Sequence, residues 1–253
     1  MDQQSLTAQQ FGNTARNYLT SAVHAQGADL ARLARLVQEL GAVRALDLGC
    51  GAGHASFALA GAGAAKVVAY DLAGDMLSVV ADEAQARGYA NLVTARGSAE
   101  SLAFDDASFD LVVTRLSAHH WLRVEAAMAE VARVLKPTGT LVVIDVLGAE
   151  VPVCDTALQT VELLRDASHV RDYRLPEWRA MLERAGFVVT DTDSWTLPIE
   201  FESWVKRIGT SAPRIAALRT VMAELPQEAK DYLALQADGS FSLHCGWISA
   251  RHR

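Results

Sequence analysis

Apolar residues along the chain form two kinds of pattern, which alternate from about residue 29 to residue 147. Several apolar runs have the length of a strand and are too continuous to alternate with polar positions. These runs are residues 43–49, 66–71, 91–97, 109–115 and 140–147. Around them, apolar residues recur every three or four positions, the spacing of a helix, over residues 29–40, 54–63, 74–88 and 124–135. Strands that alternate with helices predict a parallel sheet with helices on both faces.

The pattern changes after residue 150, where helices become more frequent. Helical spacing covers residues 153–166, 176–185 and, with breaks at Pro213 and Pro226, 201–236; strand patterns cover 187–199 and 240–251. We predict an α/β fold with a doubly wound, mostly parallel seven-stranded sheet and a helical cap. The chain would form one domain, with a lid at 1–40, a ligand-binding core at 41–148 and cap insertions at 150–185 and 200–238.

Polar side chains end or follow several of the predicted strands. They are Asp47, Asp71, Ser98, Arg115 and Asp145. Ligands of doubly wound sheets bind beyond the carboxyl ends of the strands. We therefore expect these five side chains along one edge of the sheet, facing a ligand.

The stretch LDLGCGAGHAS, residues 46–56, places an aspartate ahead of a glycine turn formed by Gly49, Gly51 and Gly53. Dinucleotide-binding turns need glycine or alanine at the sixth position, where this chain has His54 or Ser56. Asp47 would also repel a diphosphate. A ligand with an amino-acid end fits better, because its carboxylate can meet the helix N-terminus and its ammonium can meet Asp47. S-adenosylmethionine is such a ligand, and Asp71 could accept hydrogen bonds from both of its ribose hydroxyls.

Four stretches in order, LDLGCGAG, VVAYDLAGDML, GSAESLAFDDASFDLVV and EVARVLKPTGTLVVID, resemble the class I S-adenosylmethionine-dependent methyltransferases, of the ubiquinone/menaquinone-biosynthesis type. Three more stretches, SAHHW, LQTVELLRDASHVRDY and FESWVKRI, are similar to an uncharacterised bacterial branch of that family. The resemblance implies a Rossmann-like fold and a product, S-adenosylhomocysteine. It also implies roles for individual residues: methionine-part contacts for Gly49, Gly51, Gly53 and Tyr18, a ribose contact for Asp71, and adenine contacts for Leu72, Met76, Ser98 and Ala99. Arg115 completes the predicted cofactor set. Ser98 replaces the acidic residue that is frequent in the family, and Ala73 replaces a common serine.

The stretch RLSAHHW, residues 115–121, supplies the candidates for catalysis, His119 and His120. Methyl transfer needs a base when the acceptor begins as a protonated oxygen. Adjacent side chains normally point apart, so we expect at most one of these histidines to face the substrate, or both to have only a structural role. We expect no metal site.

Aromatic and basic residues outside the core region could also contribute to the site. Near the N-terminus they are Phe11, Tyr18 and His24, and in the cap they are His169, Arg171, Tyr173, Trp204 and Arg207. Phe11 and Tyr18 could equally pack the N-terminal helix onto the sheet, and Trp204 could equally be a core residue. For Trp178 we favour the core, and for Cys50 a filler role in the glycine turn.

Composition narrows the class of protein. The net charge of −7 argues against a nucleic-acid partner, and no apolar run is long enough for a membrane span. Three distant cysteines and an N-terminus without a signal-peptide pattern indicate a cytoplasmic protein. The resemblance implies a small-molecule substrate and, together with Trp195, Phe201 and Trp204, favours an aromatic or quinone-like acceptor. Two alternatives stay open: a catalytically silent cofactor-binding module and a nicotinamide-dependent oxidoreductase.

Overall fold

A computed structural model of the chain describes residues 1–12, 14–19, 21, 25 and 27–253, so His24 lies outside the described residues. The strands are β1 Arg44–Leu48, β2 Lys66–Asp71, β3 Leu92–Arg96, β4 Phe109–Arg115, β5 Leu135–Val146, β6 Phe187–Ile199 and β7 Phe241–His252. They form one seven-stranded sheet in the order β3-β2-β1-β4-β5-β7-β6. All neighbouring pairs from β3 to β5 are parallel, and β7 runs antiparallel to β5 and to β6. The predicted fold class is confirmed.

Helices cover both faces of this sheet and its carboxyl edge. They are α1 Gln3–Gly12, α2 Ala15–Leu19, α3 Ala28–Leu40, α4 His54–Gly61, α5 Gly74–Ala86, α6 Val124–Val134, α7 Pro152–Arg165, α8 Leu175–Arg184, α9 Phe201–Ile208, α10 Ala212–Glu224 and α11 Gln227–Tyr232. One face packs against α3, α4 and α5, and the other against α6 and α8. Among the described helices, none has the length and apolar character required to cross a membrane.

The strand order reverses between β1 and β4, which lie side by side at the middle of the sheet. The strand to one side of β1 is β2, and the strand to the other side of β4 is β5. The loops after β1 and β4 therefore diverge over opposite halves of the sheet and leave a crevice between them. This crevice is where the sequence places the glycine turn and the histidine pair.

The start of β5 differs from the prediction. The stretch KPTG, residues 136–139, looked like a turn that ends α6, but β5 begins at Leu135, directly after that helix. Leu135 pairs with Phe109, and a register shift then brings Leu111 opposite Thr140. Proline and glycine are tolerated in a strand at such irregularities. Burial of Leu135, which is 2% exposed, holds the segment on the sheet.

Helix α8 belongs to the layer that covers the sheet, although its residues fall in the predicted cap segment 150–185. Trp178, Met181 and Leu182 of this helix pack in the same apolar cluster as α6 and β5. Trp178 is 1% exposed, so the prediction that it is a core residue is confirmed. The helices that pack together over the ends of β6 and β7 are α7, α9, α10 and α11.

The N-terminal helices α1 and α2 lie across the carboxyl edge of the sheet. Gln3 Nε2 donates to the Ser168 carbonyl oxygen at 2.6 Å, and Gln10 Nε2 donates to the Ile208 carbonyl oxygen at 2.7 Å. On the other side, Tyr18 packs in a small apolar cluster with Met76 of α5. Contacts on both flanks hold these helices over the crevice.

Candidate functional site

A cavity of about 1020 Å³, including its open mouth, lies beyond the carboxyl ends of β1, β2 and β4. We call it the first cavity. Most residues predicted to contact a cofactor line it: Tyr18, Asp47, Gly49, Gly51, Asp71, Leu72, Met76, Ser98, Ala99 and Arg115. His120 lines it as well, whereas Gly53 and His119 do not.

Gly49 and Gly51 form the floor of the first cavity. The Gly49 and Cys50 N–H groups donate to the Tyr70 carbonyl oxygen at 2.8 and 3.0 Å, which fixes the turn on β2. A Cβ at Gly49 would lie 1.9 Å from Ser117 Oγ, and the positive φ of 72° also favours glycine. At Gly51, with φ 50°, no atom lies within 4 Å of a Cβ position, so its backbone is open to a ligand.

The third glycine of the turn, Gly53, has a packing role and does not line the cavity in which the cofactor contact was predicted. Gly53 precedes α4 with φ 85°, and a Cβ there would lie 2.8 Å from Val80 Cγ2 and 3.0 Å from the Phe57 ring. This glycine therefore allows α4 to pack closely on α5. The spacing of two residues suggested one role for all three glycines, but the turn rotates Gly53 away from the cavity.

Asp47 presents an unpartnered carboxylate oxygen in the first cavity. The side chain is buried, and its Oδ2 accepts a hydrogen bond from Ser56 Oγ at 2.6 Å. Its Oδ1 is buried without a hydrogen-bond partner among the described residues. Burial raises the pKa of Asp47 to about 6, against the opposing effect of Ser56. A ligand ammonium would satisfy this oxygen, because a buried acceptor without a partner is costly.

Asp71 is held by the backbone on both of its oxygens. Its Oδ2 accepts from the Gly51 N–H and its Oδ1 from the Ala73 N–H, each at 2.8 Å. Burial raises its pKa, and these two hydrogen bonds oppose the shift. A carboxylate oxygen can accept more than one hydrogen bond. Both oxygens of this oriented carboxylate can therefore still accept from two neighbouring hydroxyls.

The Ser98 hydroxyl oxygen is in contact with the lid. It accepts from Gln4 Nε2 at 3.1 Å and from the Glu100 N–H at 3.2 Å. Gln4 and Glu100 both line the first cavity. Neither residue was singled out by the sequence, because the position of Gln4 depends on α1 folding back over the sheet.

Arg115 reaches the first cavity but is already paired. Its Nε lies 2.5 Å from Asp29 Oδ2, and both side chains are buried. Asp29 lies in the first turn of α3, and this ion pair joins that helix to the end of β4. The pair supports the cavity wall, and Arg115 does not present an unpaired charge to a ligand.

A second cavity of about 490 Å³ lies against the first. Four residues line both cavities: Phe11, Tyr18, Leu116 and His120. The remaining walls come from the turn after β4 and from β5, α7, β6, α9 and β7. Their residues are His119, Val146, Glu162, Arg165, Leu197, Ile199, Trp204, Arg207 and Leu243. The wall of the second cavity therefore combines apolar side chains with several charged groups.

Both histidines of the HH pair line the second cavity, although we expected at most one to face a substrate. They lie on a 3₁₀ turn, Ala118–His120, where successive side chains are rotated by about 120° and do not point in opposite directions. Their ring centroids are 4.2 Å apart. One short turn thus brings two imidazoles to one cavity.

The two imidazoles have opposite electrostatic environments. His119 Nδ1 lies 2.5 Å from Asp145 Oδ1, and although burial alone lowers its pKa, Asp145 raises the pKa of His119 to about 9. His120 Nδ1 lies 3.1 Å from the Ser168 carbonyl oxygen. Burial, followed by the neighbouring His119 charge, lowers the pKa of His120 to about 4. At neutral pH, His119 is an imidazolium and His120 is a neutral imidazole.

Of the other candidates in the cap, two line the second cavity and three contact neighbouring residues instead. Trp204 and Arg207 line the second cavity. Tyr173 packs on Trp178, and Arg171 contacts Asp155 and Glu177 at 3.5 and 3.3 Å. His169 is buried behind the cavity, where its Nε2 lies 2.9 Å from Gln159 Oε1. Over the described part of the chain, no group of three or more His, Cys, Asp or Glu side chains is arranged to hold a metal ion.

Three comparisons with known proteins agree with this geometry. Residues 46–143 match the family model described as a methyltransferase domain. The uncharacterized methyltransferase YcgJ of Bacillus subtilis is 37% identical over 221 residues, 87% of each chain. Its crystal structure superposes with a TM-score of 0.82, covering 88% of this chain and 99% of that one.

Two further relatives extend the comparison. The uncharacterized protein YafE of Escherichia coli is 48% identical over 176 residues, 70% of this chain and 85% of its own. The ubiquinone/menaquinone biosynthesis C-methyltransferase UbiE of Brucella anthropi is 35% identical over 113 residues, 44% of this chain and 43% of its own. Together with the glycine turn and the carboxylates Asp47 and Asp71, these similarities establish that the chain belongs to the class I S-adenosylmethionine-dependent methyltransferases.

Proposed function

We propose that the chain methylates a small organic acceptor bound in the second cavity, using S-adenosylmethionine bound in the first. The observation that carries this proposal is the wall shared by Phe11, Tyr18, Leu116 and His120. A methyl group passes in line from donor to acceptor, so the two must meet without water between them. Two cavities that meet at four common residues satisfy this requirement.

The residues of the first cavity fit the donor. The unpartnered Asp47 Oδ1 would accept from its ammonium, the open Gly51 backbone would lie against its methionine part, and Asp71 would accept from its ribose hydroxyls. When bound, S-adenosylmethionine supplies a methyl group already activated by the positive sulfur. The work left to the protein is to align the acceptor, remove its proton where necessary and exclude water.

The pair of His119 and Asp145 would hold the acceptor oxygen. Asp145 accepts through Oδ1 from His119 Nδ1 and through Oδ2 from the His119 backbone N–H at 3.2 Å, which fixes the ring. The other ring nitrogen, Nε2, makes no hydrogen bond to another described residue. An imidazolium N–H there stabilises an oxyanion. An acceptor hydroxyl would therefore bind as its anion against His119, and its proton would be released to the surrounding water on binding, because His119 is already protonated.

The second cavity also limits the shape of the acceptor. The rings of Phe11, Tyr18 and Trp204 contribute to its wall. Flat apolar walls favour an aromatic or quinone-like body. The resemblance of the core region to UbiE of Brucella anthropi is in keeping with such an acceptor.

Titration calorimetry with S-adenosylhomocysteine tests the donor part of this proposal, with NADH as the parallel control. We expect binding in the micromolar range or tighter for S-adenosylhomocysteine and none for NADH. Transfer of a labelled methyl group from S-adenosylmethionine to small molecules of a cell extract then tests catalysis. Binding of NADH alone, or the absence of any labelled product with a cofactor that binds, would contradict the proposal.

A further inference from the structure

Two buried arginines line the second cavity without an acidic partner. Arg165 and Arg207 are each 8% exposed, and neither lines the first cavity. Arg165 donates to Tyr18 Oη at 3.2 Å and, at 3.4 Å, to the Trp204 carbonyl oxygen. No carboxylate oxygen of a described residue lies within 4.0 Å of either guanidinium. The Arg207 guanidinium also makes no hydrogen bond to any side chain or backbone group that the structure describes.

This arrangement contrasts with the first cavity. There Arg115, whose side chain is also 8% exposed, is neutralised by Asp29 at 2.5 Å. Removing a guanidinium from water without a counter-ion is costly, and chains normally bury arginine only beside a carboxylate. Burial, followed by the charge of neighbouring Arg165, lowers the pKa of Arg207. Two adjacent cations that have no carboxylate in ion-pair contact therefore indicate that the missing anion comes with a ligand.

The nearby acids do not take this role. Glu162 lies in the same cavity wall, but its Oε1 has no hydrogen-bond partner among the described residues, and burial raises its pKa. Asp166 Oδ1 accepts from the Ser168 N–H at 2.8 Å and from Ser168 Oγ at 2.7 Å. His119, the other cation of this cavity, is matched by Asp145. Against burial, the charges of Tyr18, Glu162 and Asp166 raise the pKa of Arg165, although neither acid is in ion-pair contact with it. The pKa of Arg207 is lowered, so Arg207 is the charge that a ligand would chiefly have to balance, with Arg165 beside it.

We infer that the methyl acceptor is an organic acid whose carboxylate binds between Arg165 and Arg207 in the second cavity. A planar guanidinium matches a carboxylate through paired N–H donors. The apolar body of the acid would lie on Leu197, Ile199 and Leu243, which line the same cavity. This inference rests on the proposed function. It adds that the protein methylates acceptors that carry a carboxylate and not their neutral analogues.

Binding of benzoate and of benzamide tests the inference directly, since the two probes have the same ring and differ in charge. Each is titrated by calorimetry into the protein saturated with S-adenosylhomocysteine. One charge-assisted hydrogen bond changes an affinity by about tenfold or more. We expect benzoate to bind at least about tenfold more tightly than benzamide, and this comparison needs no variant.

A pair of variants on α9 localises the effect. Arg207→Gln removes the buried charge, and Lys206→Gln removes an exposed charge at the preceding position. We expect Arg207→Gln to weaken benzoate binding at least about tenfold and Lys206→Gln to leave it unchanged. Affinity for S-adenosylhomocysteine is measured for all three proteins and shows that each is folded.

The outcomes separate this inference from the proposed function. If S-adenosylhomocysteine fails to bind the wild-type protein, the proposed function fails, whatever benzoate does. If S-adenosylhomocysteine binds but benzoate and benzamide bind equally, or both fail to bind, the acid-acceptor inference is overturned while the proposed function stands. Equal loss of benzoate affinity in the two variants would also overturn it, because the effect would then be a change of net charge and not a contact.

Discussion

Replacing Asp145 with asparagine tests whether a buried ion pair holds His119 as an imidazolium. His119 Nδ1 lies 2.5 Å from Asp145 Oδ1, and the side chains are 12% and 2% exposed. Asparagine keeps the size of the side chain and an oxygen that can accept from Nδ1–H. It removes the negative charge, and it leaves the N–H of His119 or of Val146 without an acceptor. The loss of the charge changes the free energy of unfolding by an amount that depends on pH, whereas the loss of the acceptor changes it by a constant amount.

The magnitude follows from the pKa of His119, which is raised from an ordinary value of 6.5 to about 9. A difference of this size corresponds to about 3 kcal/mol of folding free energy. Because the folded-state pKa lies above the unfolded value, this stability is fully present below pH 6.5 and is lost as pH rises through 9. Between pH 6 and pH 8.5 the wild-type protein should lose about 2 kcal/mol from this group.

Urea unfolding of both proteins at pH 6, 7.25 and 8.5 measures this loss. Groups that titrate identically in the two proteins cancel when the free energies of unfolding are subtracted. The wild-type advantage should shrink by at least about 2 kcal/mol across this range, and the pH-independent offset remains. In parallel, NMR titration of His119 should give a midpoint above 8 for the wild type and below the ordinary value for the variant, since burial then acts alone. A constant difference in stability across the range would refute the reasoning.

Two further substitutions test the first cavity, and a third tests the packing of the glycine turn. Asp71→Ala should weaken S-adenosylhomocysteine binding by about tenfold or more in calorimetry, because it removes at least one charge-assisted hydrogen bond. Asp47→Asn should weaken the same ligand but not 5′-methylthioadenosine, which lacks the amino-acid end. Wild-type affinity for S-adenosylhomocysteine should fall below pH 6, where Asp47 becomes protonated. Gly53→Ala should lower the free energy of unfolding by about 2 kcal/mol or more, from a positive φ and a contact with Val80.

Gly63→Ala is the matched control for Gly53→Ala. Gly63 has φ 94° with nothing within 4 Å of a Cβ, so alanine there measures the backbone cost alone. Equal destabilisation by Gly53→Ala and Gly63→Ala would mean that the Val80 contact is unimportant. Unchanged affinity in the Asp71 variant, or equal losses of both ligands in the Asp47 variant, would show that the donor is bound differently.

Much of the first cavity could be predicted from the sequence, because its chemistry is local. Asp47, Gly49 and Gly51 lie in one turn, and Asp71 follows the adjacent strand. The order of strands and helices in a doubly wound sheet places the ends of such strands at one edge. The spacing of the apolar residues predicts these strands, and it therefore already places the four groups close together at one edge of the sheet. Gly53 shows the limit of that reasoning, since its side of the turn depended on the packing of α4 against Val80.

The second cavity was decided by the tertiary structure. Its walls combine the lid, the turn after β4, the end of β5, helices α7 and α9, and the edge of β6 and β7. No spacing in the sequence relates Arg165 to Arg207, or His119 to Asp145, because loops of different length connect these segments. The sequence by itself determined the sheet, the glycine turn and the histidine pair, since each depends on residues close together in the chain. Contacts between distant segments decide which charges meet in the second cavity and which of them lack a counter-ion. Only the packed fold creates these contacts.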